Sequence, residues 1–259
     1  MCSSDLLPET SSGVAGQRFS WGNLLNQKRK PSLDEMFNLN RGFLGMFFVD
    51  LIRIFLKLFF RMCFALKISG VSEIEKHDGP VVISPNHQSY LDALFIFATL
   101  PRKRLHKTMF IAFDAYFKKG ILSLLVRPGR IIKTASARTN ISSLQYAAEA
   151  LEKGFSVCIF PEGQRSPNGK LEKTLIGPAI LSCERKVPIF PLVINGAMAT
   201  FSRTHKGFHF ANVSLELLPP LRLPEKGEYD ENDYQELMKI WASRVGEKIV
   251  EPMERNETK

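Results

Sequence analysis

The feature that most constrains the fold is a set of short, continuous apolar runs that alternate with helical patterns. The clearest runs are "VVIS" (81–84), "FSVCIF" (155–160) and "PIFPLVI" (188–194). A strand that is apolar at every position is buried on both faces, which is typical of the interior of a parallel sheet. The stretches between these runs are long enough for crossover helices. The sequence therefore predicts an α/β fold with a mixed, mainly parallel sheet covered by helices.

Further strands and helices complete this alternation. Strands are predicted at 67–71, 108–113, 130–133 and 209–218, and helices at 89–100, 116–126, 141–153, 177–185 and 230–253. Asn140 is a candidate N-cap and Gly154 a candidate C-cap of the helix between them. The last helix is expected to present Leu237, Trp241 and Val245 on one apolar face.

A long apolar segment, "GFLGMFFVDLIRIFLKLFFRMCFAL" (42–66), precedes this pattern and raises a transmembrane interpretation. Asp50, Arg53, Lys57 and Arg61 fall on one stripe roughly 80° wide at ~100° per residue. Charges near the centre of a span cost about 2.5–3.5 kcal/mol each, whereas apolar residues return about 0.3–0.6 kcal/mol each, so spanning is about neutral at best. The segment is therefore predicted to be an amphipathic helix in the membrane interface, with the stripe facing the headgroups. The alternative is a core helix of the globular domain.

Composition and charge restrict the partners. The sequence predicts a polar, poorly ordered extension over residues 1–40, an interface helix over 41–66 and one domain over 67–259. The net charge of +9 indicates an anionic partner: nucleic acid, a phospholipid surface or a phosphorylated small molecule. The four cysteines form no CxxC pair and have no histidine at zinc-site spacing, so no metal site is predicted and a reducing compartment is favoured.

Polar residues follow the first of the apolar runs. "NHQSYLD" (86–92) contains His87 and, five positions later, Asp92. A carboxylate that accepts one ring N–H fixes the imidazole tautomer and leaves the other nitrogen free as a base. Because the chain has no GxSxG elbow, the predicted nucleophile is the hydroxyl of an acceptor molecule. For this stretch alone, a loop histidine beside a capping aspartate is an equal alternative.

A second polar stretch follows another apolar run. "FPEGQRS" (160–166) contains Glu162 and Arg165 with Gly163 between them. Arginine can hold a phosphate through several N–H donors, and glycine lets the backbone approach a ligand closely. Glu162 would orient the arginine or accept a hydrogen bond from a ligand hydroxyl. The alternative is a polar turn that only reverses the chain.

Taken together, "NHQSYLD", "FPEGQRS" and "VPIFPLVI" (187–194) resemble, in order and spacing, three signature blocks of the glycerolipid acyltransferase family. This family includes the 1-acylglycerol-3-phosphate acyltransferases, and the resemblance covers roughly residues 67–224. It implies a glycerol-3-phosphate acyltransferase-like fold with a membrane-docking helix before it. It also implies direct transfer of an acyl group to a glycerolipid hydroxyl, without a covalent intermediate. No cofactor is implied, since the acyl donor, acyl-CoA or acyl-acyl carrier protein, is a substrate.

The resemblance also implies roles for individual residues. His87 would be the general base and Asp92 its orienting partner. Pro188 and Pro191 would shape the cleft for the acyl chain or the acceptor. The residues expected to bind the substrate's phosphate and glycerol region are Asn86, Glu162, Gly163, Arg165 and Ser166.

One block departs from the family pattern. The family usually shows a Gly-x-Ile-Phe-Ile-Asp-Arg-like stretch, whereas this chain reads "GRIIKTASAR" (129–138). Arg130, Lys133 or Arg138 would then supply the missing phosphate contact. This block and "KTLIG" (173–177) are similar to the acyltransferase portion of bacterial acylglycerophosphoethanolamine acyltransferases. The acceptor is therefore expected to be 1-acyl-sn-glycerol-3-phosphate, giving phosphatidic acid, or alternatively lysophosphatidylethanolamine or a related lysolipid.

Three classes of function compete. The leading interpretation is an acyltransferase on the cytoplasmic face of a membrane, a bacterial inner membrane, with anionic lipid, a lysophospholipid and an acyl thioester as partners. The second is a peripheral lipid-binding protein without turnover. The third, nucleic-acid binding, rests on "RKRLHK" (102–107), which lacks interleaved aromatic residues and is interpreted as a solvated or lipid-facing loop. No nucleic-acid partner is therefore expected.

Overall fold

A seven-stranded sheet organises the described part of the chain. The computed structural model describes residues 20–27, 32–33, 42–113, 130–134, 141–202 and 207–250. The strands are β1 (Lys67–Ser69), β2 (Val82–Pro85), β3 (Thr108–Phe113), β4 (Arg130–Thr134), β5 (Ser156–Cys158), β6 (Ile189–Asn195) and β7 (Ser214–Leu217), in the spatial order β1-β7-β6-β2-β5-β3-β4. Neighbours pair in parallel, except that β6 and β7 are antiparallel. The predicted mixed, mainly parallel sheet is confirmed.

Helices cover both faces of this sheet. They are α1 (Trp21–Leu25), α2 (Phe43–Cys63), α3 (Val71–Lys76), α4 (Asp92–Thr99), α5 (Arg102–His106), α6 (Ile141–Glu152), α7 (Gly177–Glu184) and α8 (Glu231–Gly246), with a 3₁₀ turn at Ala197–Ala199. The helix predicted at 116–126 and the predicted cap Asn140 lie outside the described residues.

The continuous apolar strands divide their side chains between two cores. Val82 and Val157 belong to a core shared with α6, α7 and α8. Ile83 and Cys158, the next residue of each strand, belong to a second core shared with α2 and α4. Successive side chains of a strand point to opposite faces, so a strand covered on both sides is apolar at every position. This explains why the central runs show no polar alternation.

The C-terminal helix α8 is anchored to the strand that leads into the predicted site. Leu237, Trp241 and Val245 are buried, as predicted. The indole N–H of Trp241 donates to the carbonyl oxygen of Ser84 in β2 over 3.1 Å. A buried indole needs such an acceptor, and this one fixes α8 against β2 just before the strand ends.

At residues 20–27 the structure differs from the expected disordered extension. Trp21 and Leu25 of α1 are buried in the core that includes α6. The side-chain amide of Gln145 in α6 donates to the carbonyl oxygen of Leu24 over 2.7 Å. Because the two apolar side chains lie four residues apart, they share one face of even a short helix and can pack together.

The basic run "RKRLHK" is a short helix, α5, followed by a turn, which corrects the loop expected there. The Arg104 guanidinium donates to the carbonyl oxygens of Ile74, His77 and Gly79, at 3.0 Å for Ile74 and 2.7 Å for Gly79. These carbonyls lie in and just after α3, where the last carbonyl groups of a helix have no N–H partner within the helix. Arg104 therefore stabilises the protein backbone.

Helix α2 has two apolar faces. Val49, Leu56 and Phe60 are buried against the domain. The opposite face is solvent-exposed over Phe43, Leu44, Phe47, Phe48, Leu51, Ile54, Phe55, Leu58 and Met62. At ~100° per residue, these exposed apolar positions cover an arc of roughly 140°. Across the described residues, no helix combines the length and apolarity that crossing a membrane requires.

The charged stripe of α2 lies along the junction with the domain. Asp50 accepts hydrogen bonds from Arg102 over 2.7 Å and from His106 over 2.8 Å. The Arg53 Nε–H donates to the carbonyl oxygen of Leu100 over 3.0 Å. The prediction that this stripe faces lipid headgroups is therefore wrong for Asp50 and Arg53, because both side chains bind the domain. One face of α2 is thus buried like the alternative core helix, while the opposite face is apolar and exposed.

Candidate active site

The two predicted polar stretches meet at the carboxyl edge of the sheet. They follow β2 and β5, which are parallel neighbours with Ile83 aligned to Cys158. The backbone N–H of His87 donates to Oε1 of Glu162 over 2.7 Å. The backbone N–H of Ser166 donates to the carbonyl oxygen of His87 over 2.8 Å. The motifs, separated by some seventy residues in sequence, therefore form one site, in the position where open α/β sheets bind ligands.

The centre of the site is the predicted histidine–aspartate pair. Nδ1 of His87 lies 2.8 Å from Oδ2 of Asp92, which is fully buried. The same Oδ2 accepts the backbone N–H groups of Gln88 over 2.6 Å and Ser89 over 2.8 Å. Because a carboxylate can only accept, the hydrogen of the neutral imidazole is on Nδ1 and the lone pair is on Nε2. This is the arrangement of an oriented general base.

Local structure explains how the pair forms. Asp92 is the first residue of α4, and its carboxylate takes the N–H groups of the turn before it. The helix therefore begins at Asp92, three residues after the predicted start, and the negative charge lies at the positive end of the helix dipole. The imidazole of His87 stacks on the ring of Phe160, with centroids 4.1 Å apart and planes 28° apart. This contact fixes the imidazole from the side of the second motif.

Glu162 supports the turn that carries His87. Its Oε1 accepts the N–H of His87, and its Oε2 accepts the N–H of Glu172 over 3.0 Å. Burial raises the pKa of Glu162 to about 7, and the nearby Asp92 and Glu172 carboxylates add to the rise while the two N–H donors oppose it. Both oxygens bind the backbone, so the geometry gives Glu162 a supporting role in place of the predicted contact with a ligand.

The guanidinium of Arg165 stacks on an aromatic ring. Its guanidinium carbon lies 3.4 Å from the centroid of the Tyr90 ring. That ring packs in turn against Phe201, with centroids 4.8 Å apart. Gly163 has a φ of +66°, in the left-handed region that favours glycine, and it forms the turn that returns Arg165 to the first motif. Stacking fixes the plane of a guanidinium, the group that binds phosphate through several N–H donors.

Asn86 and Ser166 lie beside the pair. The side-chain amide of Asn86 donates to the carbonyl oxygen of Ile194 over 2.9 Å and accepts its N–H over 2.7 Å. Both halves of the amide thus bind backbone, which corrects the predicted substrate contact of Asn86. Ser166 is buried, and its hydroxyl donates to the Asn168 side chain over 3.0 Å.

In the block that departs from the family pattern (129–138), Arg130 lies away from the site. Arg130 is aligned with Met109 at the beginning of β4, far from the carboxyl edge. It is buried, its guanidinium donates to the carbonyl oxygen of His106, and it lies 4.7 Å from the Phe155 ring centroid. The predicted phosphate contact of Arg130 is therefore wrong, because strand register places it at the opposite edge.

The other residues of the prediction are placed only in part. The backbone of Lys133 is three residues further along β4, aligned with Ala112 and closer to the site's edge. Arg138 lies outside the described residues. Pro191 pairs with Ser84 within the sheet, and the carbonyl oxygen of Pro188 accepts the N–H of Val82. The predicted phosphate contact of Lys133 or Arg138 and the cleft role of the prolines stay predictions.

Three residues of the site were not found from the sequence: Gln88, Tyr90 and Phe160. Tyr90 and Phe160 work through stacking on partners distant in sequence, and the Gln88 amide donates to the carbonyl oxygen of Gly169 over 3.1 Å. The one sequence signal for these three residues is that they lie within the two motifs. Among the residues that the structure describes, no group of His, Cys, Asp or Glu side chains is arranged to hold a metal ion.

Comparison with known proteins identifies the class to which this fold and site belong. The family model described as Acyltransferase matches residues 66–195, half of the chain. The chain therefore belongs to the acyltransferase family. A solved structure, the 1-acyl-sn-glycerophosphate acyltransferase of Thermotoga maritima, superposes with a TM-score of 0.61 at 22% identity over 78% of this chain and 81% of that one. That similarity confirms the fold.

The curated relatives carry more specific names than the family model. A chloroplastic 1-acyl-sn-glycerol-3-phosphate acyltransferase of Brassica napus is 29% identical over 50% of this chain and 37% of its own length. The human 1-acyl-sn-glycerol-3-phosphate acyltransferase beta is 27% identical over 54% of this chain and 50% of its own length. The matches thus cover from about a third to half of the length of these relatives.

Proposed function

We propose that the protein is an O-acyltransferase that moves a fatty acyl group from an acyl thioester to the free hydroxyl of 1-acyl-sn-glycerol-3-phosphate, giving phosphatidic acid. The observation that carries this proposal is the His87–Asp92 pair, 2.8 Å apart at the end of β2, with Nε2 as the free basic nitrogen. The donor is acyl-CoA or acyl-acyl carrier protein. The names of the relatives support this choice of reaction.

The geometry supports a direct transfer. Nε2 of His87 removes the proton of the acceptor hydroxyl while its oxygen attacks the thioester carbonyl. The new C–O bond forms, the C–S bond breaks, and the leaving thiolate takes the proton back from the imidazolium. Asp92 stabilises the positive charge that the ring carries between these two events. Glu162 and Phe160 keep the ring in place through its backbone and its face.

Arg165 is the described residue best suited to hold the acceptor's phosphate. Its guanidinium is stacked on Tyr90, in the turn that hydrogen-bonds to His87. A second acceptor, lysophosphatidylethanolamine or a related lysolipid, is favoured by a different observation. Arg130 is buried at the opposite edge of the sheet, so it adds no second cation for a terminal phosphate.

The exposed face of α2 supports attachment to a membrane surface. Nine large apolar side chains line it, and a contiguous apolar patch of that kind marks a site of interaction. Because α2 packs on α4, the helix that Asp92 begins, the proposed surface lies near the catalytic pair. We therefore place the enzyme on a membrane that contains anionic lipid, with its lysophospholipid acceptor in the same layer.

An acceptor panel tests the proposal. The purified chain is given one labelled acyl thioester and either lysophosphatidic acid, lysophosphatidylethanolamine or lysophosphatidylglycerol in mixed micelles. We expect the fastest transfer to lysophosphatidic acid, and a loss of about 10²–10⁴-fold in His87→Ala. Faster transfer to lysophosphatidylethanolamine would establish the second acceptor. Equal rates for His87→Ala and the parent would overturn the mechanism, and lipid binding without any transfer would establish a non-catalytic lipid-binding protein.

A further inference from the structure

Two exposed phenylalanines continue the outward apolar face of α2. The side chains of Phe208 and Phe210 are 48% and 70% exposed. The Phe208 ring lies 6.4 Å from that of Phe59 and 5.2 Å from that of Phe64, and the Phe210 ring lies 6.0 Å from that of Phe64. We call Phe208 and Phe210 the aromatic edge. Phe59 stacks in turn on Phe55 of the exposed face, with ring centroids 6.2 Å apart, so the aromatic edge adjoins the outward apolar face of α2.

The charge around the aromatic edge suits an anionic partner. Residues 185–215 contain no aspartate or glutamate, and "SRTHKGFHF" (202–210) interleaves basic with aromatic residues. The one acidic residue of α2, Asp50, is already bound by Arg102 and His106. Basic residues near the surface of an anionic membrane are attracted to it. In the described part of the chain, the basic residues Lys57 and Arg61 of α2 flank this apolar surface.

The aromatic edge is also linked to the catalytic turn. The N–H of His209, between the two phenylalanines, donates to the carbonyl oxygen of Thr200 over 2.9 Å. The hydroxyls of Thr200 and Ser89 are 3.0 Å apart. The N–H of Ser89 then donates to the Asp92 carboxylate that orients the catalytic imidazole. Three consecutive hydrogen-bond contacts therefore connect the aromatic edge to Asp92, and a fourth connects Asp92 to His87.

We propose that the aromatic edge inserts into an anionic membrane as a second contact beside α2, so that the site faces the lipid and the acceptor reaches His87 without leaving the layer. This inference rests on the proposed function. A lipid surface fits better than a second copy of the chain, because two copies would bring their basic residues face to face and like charges disfavour such a contact. It also fits the length of α2, which presents about 30 Å of apolar face.

A tryptophan reporter tests the insertion directly. The native residues Trp21 and Trp241 are buried, so their emission should respond little to lipid. Phe210→Trp in the full chain should shift its emission to shorter wavelength on phosphatidylglycerol–phosphatidylcholine vesicles and be quenched by lipids brominated in the acyl chain. Val250→Trp, at another exposed apolar position, is the matched control and should do neither. Quenching of the Phe210→Trp reporter by aqueous iodide, undiminished by vesicles, would overturn the proposal.

A double variant measures what the aromatic edge contributes. Phe208→Ala/Phe210→Ala should weaken binding to the same vesicles about tenfold, the value expected for removing two partly buried aromatic side chains from lipid. The ratio of acyl transfer on vesicle-bound acceptor to that on a monomeric short-chain acceptor should fall by a similar factor. Val250→Ala should leave both quantities unchanged. Unchanged vesicle binding by the double variant would contradict the inference.

The outcomes separate this inference from the proposed function. If no acceptor is acylated by the parent chain, the proposed function fails, while the reporter and the vesicle binding still decide whether the aromatic edge inserts. If transfer occurs but the reporter stays in water, only the insertion fails. If sedimentation of the lipid-free chain shows a dimer that the double variant abolishes, the surface joins two copies and the membrane proposal is overturned.

Discussion

Two carboxylates hold the turn that carries His87, and they do so in different ways. Asp92 and Glu162 both accept backbone N–H groups from residues 87–89. Only Asp92 also binds the imidazole of His87, and it does so at the positive end of α4. Glu162 lies where burial outweighs its two N–H donors, so its pKa rises to about 7. The two carboxylates therefore differ in their partners, since Asp92 binds the imidazole and Glu162 binds only backbone N–H groups.

This difference separates two tasks that a sequence motif does not distinguish. In the proposed mechanism, Asp92 fixes the tautomer of the imidazole and stabilises the positive charge that the ring gains during the reaction. Glu162 acts on the position of the backbone, which should stay constant. Replacing Asp92 should therefore lower turnover, and replacing Glu162 should mainly change stability and its dependence on pH.

The largest expected effect comes from Asp92→Asn. The amide keeps the size and the accepting oxygen of the carboxylate but cannot stabilise the imidazolium with a negative charge. We expect kcat to fall at least about 10²-fold, within the range that an oriented base contributes, with little change in KM. Steady-state kinetics measures kcat and KM, and the midpoint of urea unfolding shows separately whether the variant has lost stability. A kcat within twofold of the parent would remove Asp92 from the mechanism.

An intermediate effect is expected at Arg165, on the turn that Glu162 supports. Arg165→Lys keeps the charge but loses the planar stacking on Tyr90 and the paired N–H donors. We expect KM for lysophosphatidic acid to rise about tenfold, with kcat changed much less. KM for a monoacylglycerol without phosphate should change little.

A matched control removes a charge elsewhere. Lys239→Gln changes the net charge on the exposed side of α8, away from the site, and should leave both KM values unchanged. Equal rises in KM for the phosphorylated and the phosphate-free acceptor in Arg165→Lys would show that Arg165 shapes the turn without holding the phosphate.

The contrast between Asp92 and Glu162 also shows which features of the fold and the site can be predicted from the sequence. Central strands such as β2 and β6 could be predicted because burial on both faces leaves a direct apolar signature. The pairing of His87 with Asp92 could be predicted because both lie in one turn. The backbone contact of Glu162 with His87 could not, since it joins residues 75 positions apart in sequence.

Long-range contacts also explain the specific errors. Arg130 was a reasonable phosphate ligand by spacing, but its register with Met109 places it at the wrong edge of the sheet. Arg104 looked like part of a solvated basic run, yet it satisfies carbonyl oxygens around the end of α3. In each case the deciding contact lies more than twenty residues away in sequence, beyond the reach of a local pattern.

The smallest effect on turnover, a few-fold, is expected for Glu162→Gln, and its main effect should appear in stability against pH. The glutamine amide offers one oxygen to two N–H donors, so either His87 or Glu172 loses its acceptor, at a cost of about 1–3 kcal/mol. The same substitution removes the buried charge that forms in the parent protein at high pH. The two effects can be separated because only the second depends on pH.

The sign of that pH dependence follows from the pKa of Glu162. The pKa is about 7 in the folded protein against an ordinary value of 4.5, so between these values the folded state holds a proton that the unfolded state has lost. This contribution to the free energy of unfolding is fully present below about pH 4.5 and is lost as the pH rises through about 7, a difference on the order of 3 kcal/mol. Glu162→Gln should therefore be clearly less stable than the parent at about pH 5 and should approach or exceed it at about pH 8.

Urea unfolding at both pH values measures this difference in stability. Glu236→Gln, on the exposed side of α8, is the control for one lost charge. A constant difference between Glu162→Gln and the parent would show that burial does not raise the pKa of Glu162.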